Sequence, residues 1–221
     1  MIESRTSPLV KDDQISNETS DLLNSATIPK NSVLSQIHKL KNRWTLWFLN
    51  NEKNKEWTER LKQVCTVDTI EHFWSLYDNI RPPSVCMNCD YMLFKEGIEP
   101  MWEVPENKNG GRLMVVVDRS RNELFDGLWL ELLLSLIGNQ YGADCDSICG
   151  AVCNVRQKGL KICLWTTNAS DMDANKQIGL LMKERLTNLD IPGAKQLRVV
   201  YENHADVQNK NSSAVKTSLF I

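Results

Sequence analysis

From Ile148 to Thr167 the chain reads ICGAVCNVRQKGLKICLWTT, two strand-like stretches at about 148 to 156 and 160 to 167 on either side of Lys158-Gly159. A two-residue loop with glycine suits the tight turn of a β-hairpin, whose twist calls for positive φ. A hairpin pairs its strands antiparallel, so the sheet built on it is antiparallel at this point. Other strands read in the same way. Arg43 to Leu49 (RWTLWFL) puts Trp44, Leu46 and Phe48 on one face and Thr45, Trp47 and Leu49 on the other. Leu113 to Val117 reads as a buried strand, and further strands lie near 197 to 202 and 216 to 221. Between them stand helices. Asp68 and Glu71 form a capping-box-like start before Ile70, Phe73, Trp74 and Tyr77, and Arg81-Pro82-Pro83-Ser84 ends that element. Ser120 and Glu123 repeat the cap signal before an i+4 row of Leu124, Leu128, Leu132 and Leu136, with Gly138 at the C-cap. A last helix spans about 173 to 188. Short strands joined by tight turns, with a few long helices inserted, predict an α+β fold: a curved antiparallel sheet backed by helices.

Residues 1 to 35 are rich in Ser, Asn, Asp and Lys and lack apolar periodicity, which predicts a disordered tail. Residues 36 to 221 then form one domain, long enough to bury a substantial core. The formal charge is −2, from 26 basic and 28 acidic residues. That excludes a protein that coats nucleic acid through a broad basic surface, so any nucleic-acid site is small and focused. Seven cysteines, an odd number, behind a start without an apolar signal stretch predict reduced thiols in an intracellular protein. The most apolar run, Leu128 to Ile137, is ten residues long and carries Glu131, too short to span a membrane.

The hairpin also carries charge. With Lys158-Gly159 as the loop, Arg156 faces Lys161, Asn154 faces Cys163 and Val152 faces Trp165. Opposed like charges destabilise a hairpin unless an anion lies between them, and Lys158 adds a third cation. Trp165 shares the Lys161 face at roughly 13 Å, taking about 3.3 Å per residue. That distance suits a base at one end and a phosphate chain at the other. The same residues also fit a solvated basic hairpin above a core tryptophan.

Two more tryptophans stand in polar company: Trp57 in NEKNKEWTER and Trp102 in EPMWEVPENKNGGR. Each alone fits a plug over a core edge; together they fit a stacking pair. A guanine methylated at N7 is cationic, so an indole face attracts it by stacking and by a cation–π term. Glu103 offers a carboxylate to the N1–H and amino group of that base. Arg112, after two glycines, extends the basic strip of Arg156, Lys158 and Lys161 towards a triphosphate.

From His38 onward these segments resemble the eukaryotic translation initiation factor 4E family, the proteins that bind the messenger-RNA cap. NRWTLWFL, DTIEHFWSLY, CDYMLFKEGIEPMWE, NKNGGR, WLELLLSLIG, ICGAVCNVRQKGLKICLWTT and IGLLMKERL carry the likeness in one order. The resemblance implies a curved sheet of about eight strands, three long helices on its convex side and a cap slot on its concave side. It implies that Trp57 and Trp102 sandwich the base, Glu103 holds its edge and Trp165 meets the methyl group, with Arg112, Arg156, Lys158 and Lys161 on the phosphates. It further implies a dorsal site at His38, Ile70, Trp74, Leu130, Glu131 and Gly138 for initiation factor 4G and 4E-binding repressors. No cofactor, metal, membrane or catalytic step is expected, and the chain acts as a monomer within the 4F complex. The cytoplasm is its expected location, with the nucleus and RNA granules as further places. Ser213 matches a regulatory phosphorylation position, or belongs to a plain serine-rich surface tail.

The chain departs from the family pattern at Lys39, where proline is usual, and at Leu113, where tryptophan usually follows GGR. Lys39 motivates a rival role, an isoform that holds the cap without engaging 4G and so represses translation. Cys86-x-x-Cys89 and the series Cys145, Cys149, Cys153 fit small-hydrophobe packing better than metal ligation, which usually needs paired ligand spacings.

Overall fold

A computed structural model describes residues 37–50, 56–208 and 219–221. The predicted tail and Ser213 lie outside these residues. The described chain holds eight strands: β1 (Lys39–Asn50), β2 (Leu61–Thr69), β3 (Cys89–Lys95), β4 (Gly111–Val117), β5 (Ile148–Arg156), β6 (Gly159–Thr166), β7 (Val200–Asn203) and β8 (Leu219–Phe220). The helices are α1 (Trp57–Arg60), α2 (Ile70–Tyr77), α3 (Pro105–Lys108), α4 (Asn122–Ile137), α5 (Met172–Thr187) and α6 (His204–Gln208). The strands form one sheet in the order β2-β1-β3-β5-β6-β4-β7-β8, every pair antiparallel.

The sheet separates two apolar layers, and the alternation within β1 shows how. Trp44, Leu46 and Phe48 join the large core under α4 and α5, whereas Trp47 and Leu49 join a smaller cluster on the opposite face with Phe94 and Trp165. Helix α4 supplies much of the large core. Its row Leu124, Leu128, Leu132, Leu136 is buried, and so are Phe125 and Trp129 between the turns of that row. Each such side chain contributes about 1.5–3 kcal/mol of apolar burial. Leu113, the unusual residue after GGR, is fully buried between Leu164 and Tyr201 on the neighbouring strands and lies close beneath Gly179 of α5.

Both predicted capping boxes are corrected. Thr69, not Asp68, caps α2, its hydroxyl accepting from the His72 N–H at 3.0 Å. Asp68 and Glu71 instead bind Lys39 and His38. Helix α4 begins at Asn122 after Arg121, without a side-chain cap; Ser120 donates to Asp118 in the preceding turn. Gly138 does sit at the C-cap of α4, but the left-handed residue is Asn139, at φ 52°.

The hairpin register also differs. Arg156 pairs with Gly159, Val155 with Leu160 and Asn154 with Lys161, so the turn is centred on Gln157-Lys158. Arg156 therefore does not oppose Lys161, and Trp165 pairs with Gly150 rather than Val152. A slip of two residues leaves every side chain on its predicted face, because side chains alternate with period two.

Candidate functional site

A cavity of about 330 Å³ opens on the face opposite the long helices. Its walls include Leu49 and Met92 from the smaller apolar cluster, with Trp102, Glu103, Arg112 and Trp165 around them. Trp165 forms the rigid side. It is buried on β6, meets Phe94 edge-on at 5.4 Å, and lies 6.2 Å from Trp102 between ring centroids.

Trp102 stands on the loop between β3 and α3, and Asn107 fixes that loop. The Asn107 side chain is fully buried, and its amide donates to the carbonyls of Glu99 at 2.8 Å and Met101 at 2.7 Å, just before Trp102. One buried amide thus organises a segment with no sheet or long helix of its own. Glu103 next to it is exposed at the cavity rim.

Arg112 enters from β4, whose first residues approach their neighbours closely. A Cβ on Gly110 would meet the Thr166 carbonyl at 1.9 Å, and one on Gly111 the Tyr201 hydroxyl at 2.3 Å. Only glycine allows that approach. The Arg112 guanidinium donates from Nε and Nη2 to a single carboxylate oxygen of the fully buried Glu202, at 3.0 and 2.7 Å. Arg156 is held in a comparable way. Asp90 on β3 takes its two terminal nitrogens at 2.5 and 2.8 Å, and the Cys89 carbonyl accepts a further bond at 3.2 Å. The hairpin needs no external anion for a further reason: Arg156 already has a carboxylate, and its pKa is raised by that bond.

Asp90 lines the cavity and Arg156 lines a second depression beside it, of about 650 Å³, with Arg60, Lys158 and Lys161. No carboxylate lines this depression among the described residues. The predicted residues thus fall into two adjoining groups: Trp102, Glu103, Arg112 and Trp165 around an aromatic cavity, and Arg156, Lys158 and Lys161 around a cationic one. Trp57 opens α1, and its side chain lies outside the described part of the structure. Sequence reasoning missed Asp90, Asn107, Glu202 and His204. Asp90 carried a usable signal, an acidic residue heading an apolar strand, since a buried carboxylate calls for a cation.

The predicted dorsal residues lie on α2, along α4 and at its C-cap, and, for His38, just before β1. Ile70 and Trp74 are exposed on α2, at 42% and 37%. The His38 carbonyl accepts from the Ile70 N–H at 2.9 Å, while its ring meets Glu71 at 2.6 Å. Lys39 is drawn to Asp68 across the β1–β2 pair at 2.8 Å, and that bond holds the Asp68 carboxyl below its usual range. Along α4, Gly138 is exposed and Glu131 pairs with Arg185 at 2.8 Å. Leu130 is half-buried and packs against the large core.

All seven cysteines are free thiols, and only Cys65 and Cys86 are partly exposed. Burial pushes the Cys149 thiol up to about 12 and raises Cys153 and Cys163 as well. A thiol-specific disulfide reagent is therefore expected to titrate Cys65 and Cys86 first under native conditions, the other five reacting only on unfolding. Fast labelling of Cys153 in the folded protein would contradict this burial.

The profile of the family described as Eukaryotic initiation factor 4E matches residues 39–219. The chain is 50% identical over 187 residues to eukaryotic translation initiation factor 4E-1 of Caenorhabditis elegans, covering 83% of this chain and 88% of that one. It is 44% identical over 186 residues to human eukaryotic translation initiation factor 4E, covering 83% of each. Among solved structures it is similar to a complex of C. elegans initiation factor 4E-3 with the 4E-binding protein Mextli and a cap analogue, at TM-score 0.74 and 43% identity. That match covers 84% of this chain and all of the other. It is likewise similar to Ascaris suum initiation factor 4E-3 with an m7G cap, at TM-score 0.74 and 44% identity, covering 84% and 98% of the two chains.

Proposed function

Because the chain belongs to the eukaryotic initiation factor 4E family, we propose that it binds the 7-methylguanosine cap of messenger RNA and recruits initiation factor 4G to begin cap-dependent translation. The observation that carries this reading is the pairing of an aromatic cavity with an adjoining cationic depression, on one face of the sheet. Trp102 stacks on the methylated base, with Trp57 closing the other side of the sandwich. The Glu103 carboxylate accepts from N1–H and the amino group and favours the cationic base, while Trp165 meets the methyl group. Arg112 and Arg156, each aimed by a carboxylate, take the phosphates with Lys158 and Lys161. It is a binding protein with no catalytic step, acting in the cytoplasm.

On the opposite face, Ile70, Trp74 and the His38 carbonyl, with Leu130, Glu131 and Gly138, take a helix of 4G or of a 4E-binding repressor. The Lys39 ammonium is paired with Asp68 at the surface of the β1–β2 pair, so this departure from the family pattern does not by itself argue for repression. Retention on 7-methyl-GTP resin with capture of a 4G-derived helix tests both halves. Trp74→Ala is expected to weaken capture about 30-fold, a loss of about 2 kcal/mol as for a central interface tryptophan, and to leave resin binding unchanged. Capture indifferent to Trp74, or absent from the wild type, would favour the repressor. Trp102→Ala and Glu103→Ala proteins that both stay on the resin would sink the slot assignment.

A further inference from the structure

His204, at the start of α6, is a fully buried ring that the cap grip described above does not use. Its centroid lies 4.4 Å from that of Trp165, and it is nearly parallel to Trp102, at 16° and 6.2 Å. Both indoles line the aromatic cavity and His204 does not. The imidazole therefore backs the two tryptophans from inside the protein.

The ring has a defined tautomer. Nδ1 lies 2.8 Å from the Asn107 carbonyl, which only accepts, so Nδ1 carries the proton. Nε2 is buried with no hydrogen-bond partner among the described residues. A second proton there would bury an N–H and a charge with no acceptor for either. Burial accordingly pushes the pKa of His204 down to about 4, and Arg112 on β4 acts in the same direction. Arg112, with its partner Glu202 on β7, is the charged pair on that side; from α3 the neighbour is the Asn107 carbonyl. The ring is neutral at physiological pH, and this matters because a charged imidazole behind Trp102 would repel a cationic base. Asn107 holds both parts, its amide fixing the Trp102 loop and its carbonyl fixing the His204 ring.

We propose that His204 is a positioning residue of the base slot, an aromatic backstop that sets the planes of Trp102 and Trp165 so that the outer face of Trp102 meets a methylated guanine. The proposal rests on the reading that the cavity takes that base. Its test is intrinsic-fluorescence titration with 7-methyl-GTP of the wild type, Trp102→Ala, His204→Gln and His204→Phe, with thermal melts and capture of a 4G-derived helix alongside. His204→Gln keeps a donor near the Asn107 carbonyl but loses the ring, and is expected to weaken binding about tenfold with helix capture unchanged. His204→Phe restores the ring and should bind within about threefold of wild type. A glutamine variant that binds like wild type, or a phenylalanine variant no better than glutamine, overturns the backstop. Trp102→Ala binding like wild type overturns the base-slot reading itself. Should the variants fail to fold, nitrogen chemical shifts of His204 in the wild type decide. A neutral ring protonated at Nδ1, with and without 7-methyl-GTP, is expected; a charged ring or a proton on Nε2 refutes the proposal.

Discussion

Replacing Trp102 by alanine is expected to weaken 7-methyl-GTP binding by about 100-fold or more while leaving the protein folded. The size follows from two losses. Base–aromatic stacking is worth about 1–3 kcal/mol per base, and a desolvated cation–π contact adds about 2 kcal/mol. Their sum, discounted for overlap, is near 3 kcal/mol, or about two powers of ten. The fold should survive because Trp102 is only partly buried and its loop is anchored by Asn107, whose bonds run to the backbone rather than to the indole. Trp102→Phe should recover part of the loss, since a smaller ring still stacks. Equilibrium titration with a cap analogue, paired with a melting curve, measures both halves. A variant that loses binding together with several degrees of melting temperature would mean that Trp102 is a structural plug.

The second large effect is expected at Glu202, where stability and the proposed phosphate site meet. Glu202 is fully buried and Arg112 is 16% exposed, so neither charge is well served by water. Burying such a pair is costly, and the attraction between partners repays that cost only while both are present. Glu202→Ala leaves the guanidinium uncompensated and is expected to cost about 3–5 kcal/mol. At roughly 2–4 °C per kcal/mol for a domain of this size, the melting temperature should fall by about 10 °C. Phosphate binding should weaken as well, because the carboxylate that aims Arg112 is gone. A double variant, Arg112→Met with Glu202→Leu, separates the effects: stability should largely return while phosphate affinity does not. Glu202→Ala melting within 2 °C of wild type, judged on the same scale of roughly 2–4 °C per kcal/mol, would show that the pair contributes little.

Much of this was legible in the chain, and the limits are instructive. Period-two alternation in RWTLWFL put Trp44, Leu46 and Phe48 on one face and Trp47 and Leu49 on the other, because side-chain direction in a strand is a local property; which face the helices cover came from the fold. The leucine row of α4 was readable for the same reason, and the two glycines before Arg112 announced the close approach that the sheet requires. Turn centres and caps were less secure. Lys158-Gly159 matched a common hairpin signal, yet the turn closed on Gln157-Lys158, and both capping boxes lost their side chains to longer-range ion pairs or turn bonds. The residues that aim the site were the least visible. Asp90 reaches Arg156 across 66 positions of sequence and His204 reaches Asn107 across 97, and no local pattern encodes such meetings. Sequence marked the groups proposed to face a ligand; folding supplied the groups that position them.

The central claim is that the aromatic cavity selects a cationic base, and titrating the wild-type protein with 7-methyl-GTP and with GTP at equal ionic strength tests it most directly. Both ligands carry the same phosphates, so the difference isolates the base. Tryptophan fluorescence should quench with the methylated nucleotide, and its affinity should exceed that of GTP by about 30-fold, the worth of about 2 kcal/mol of cation–π attraction. Equal affinities would mean that the basic depression alone binds the nucleotide and that the tryptophans grip no methylated base.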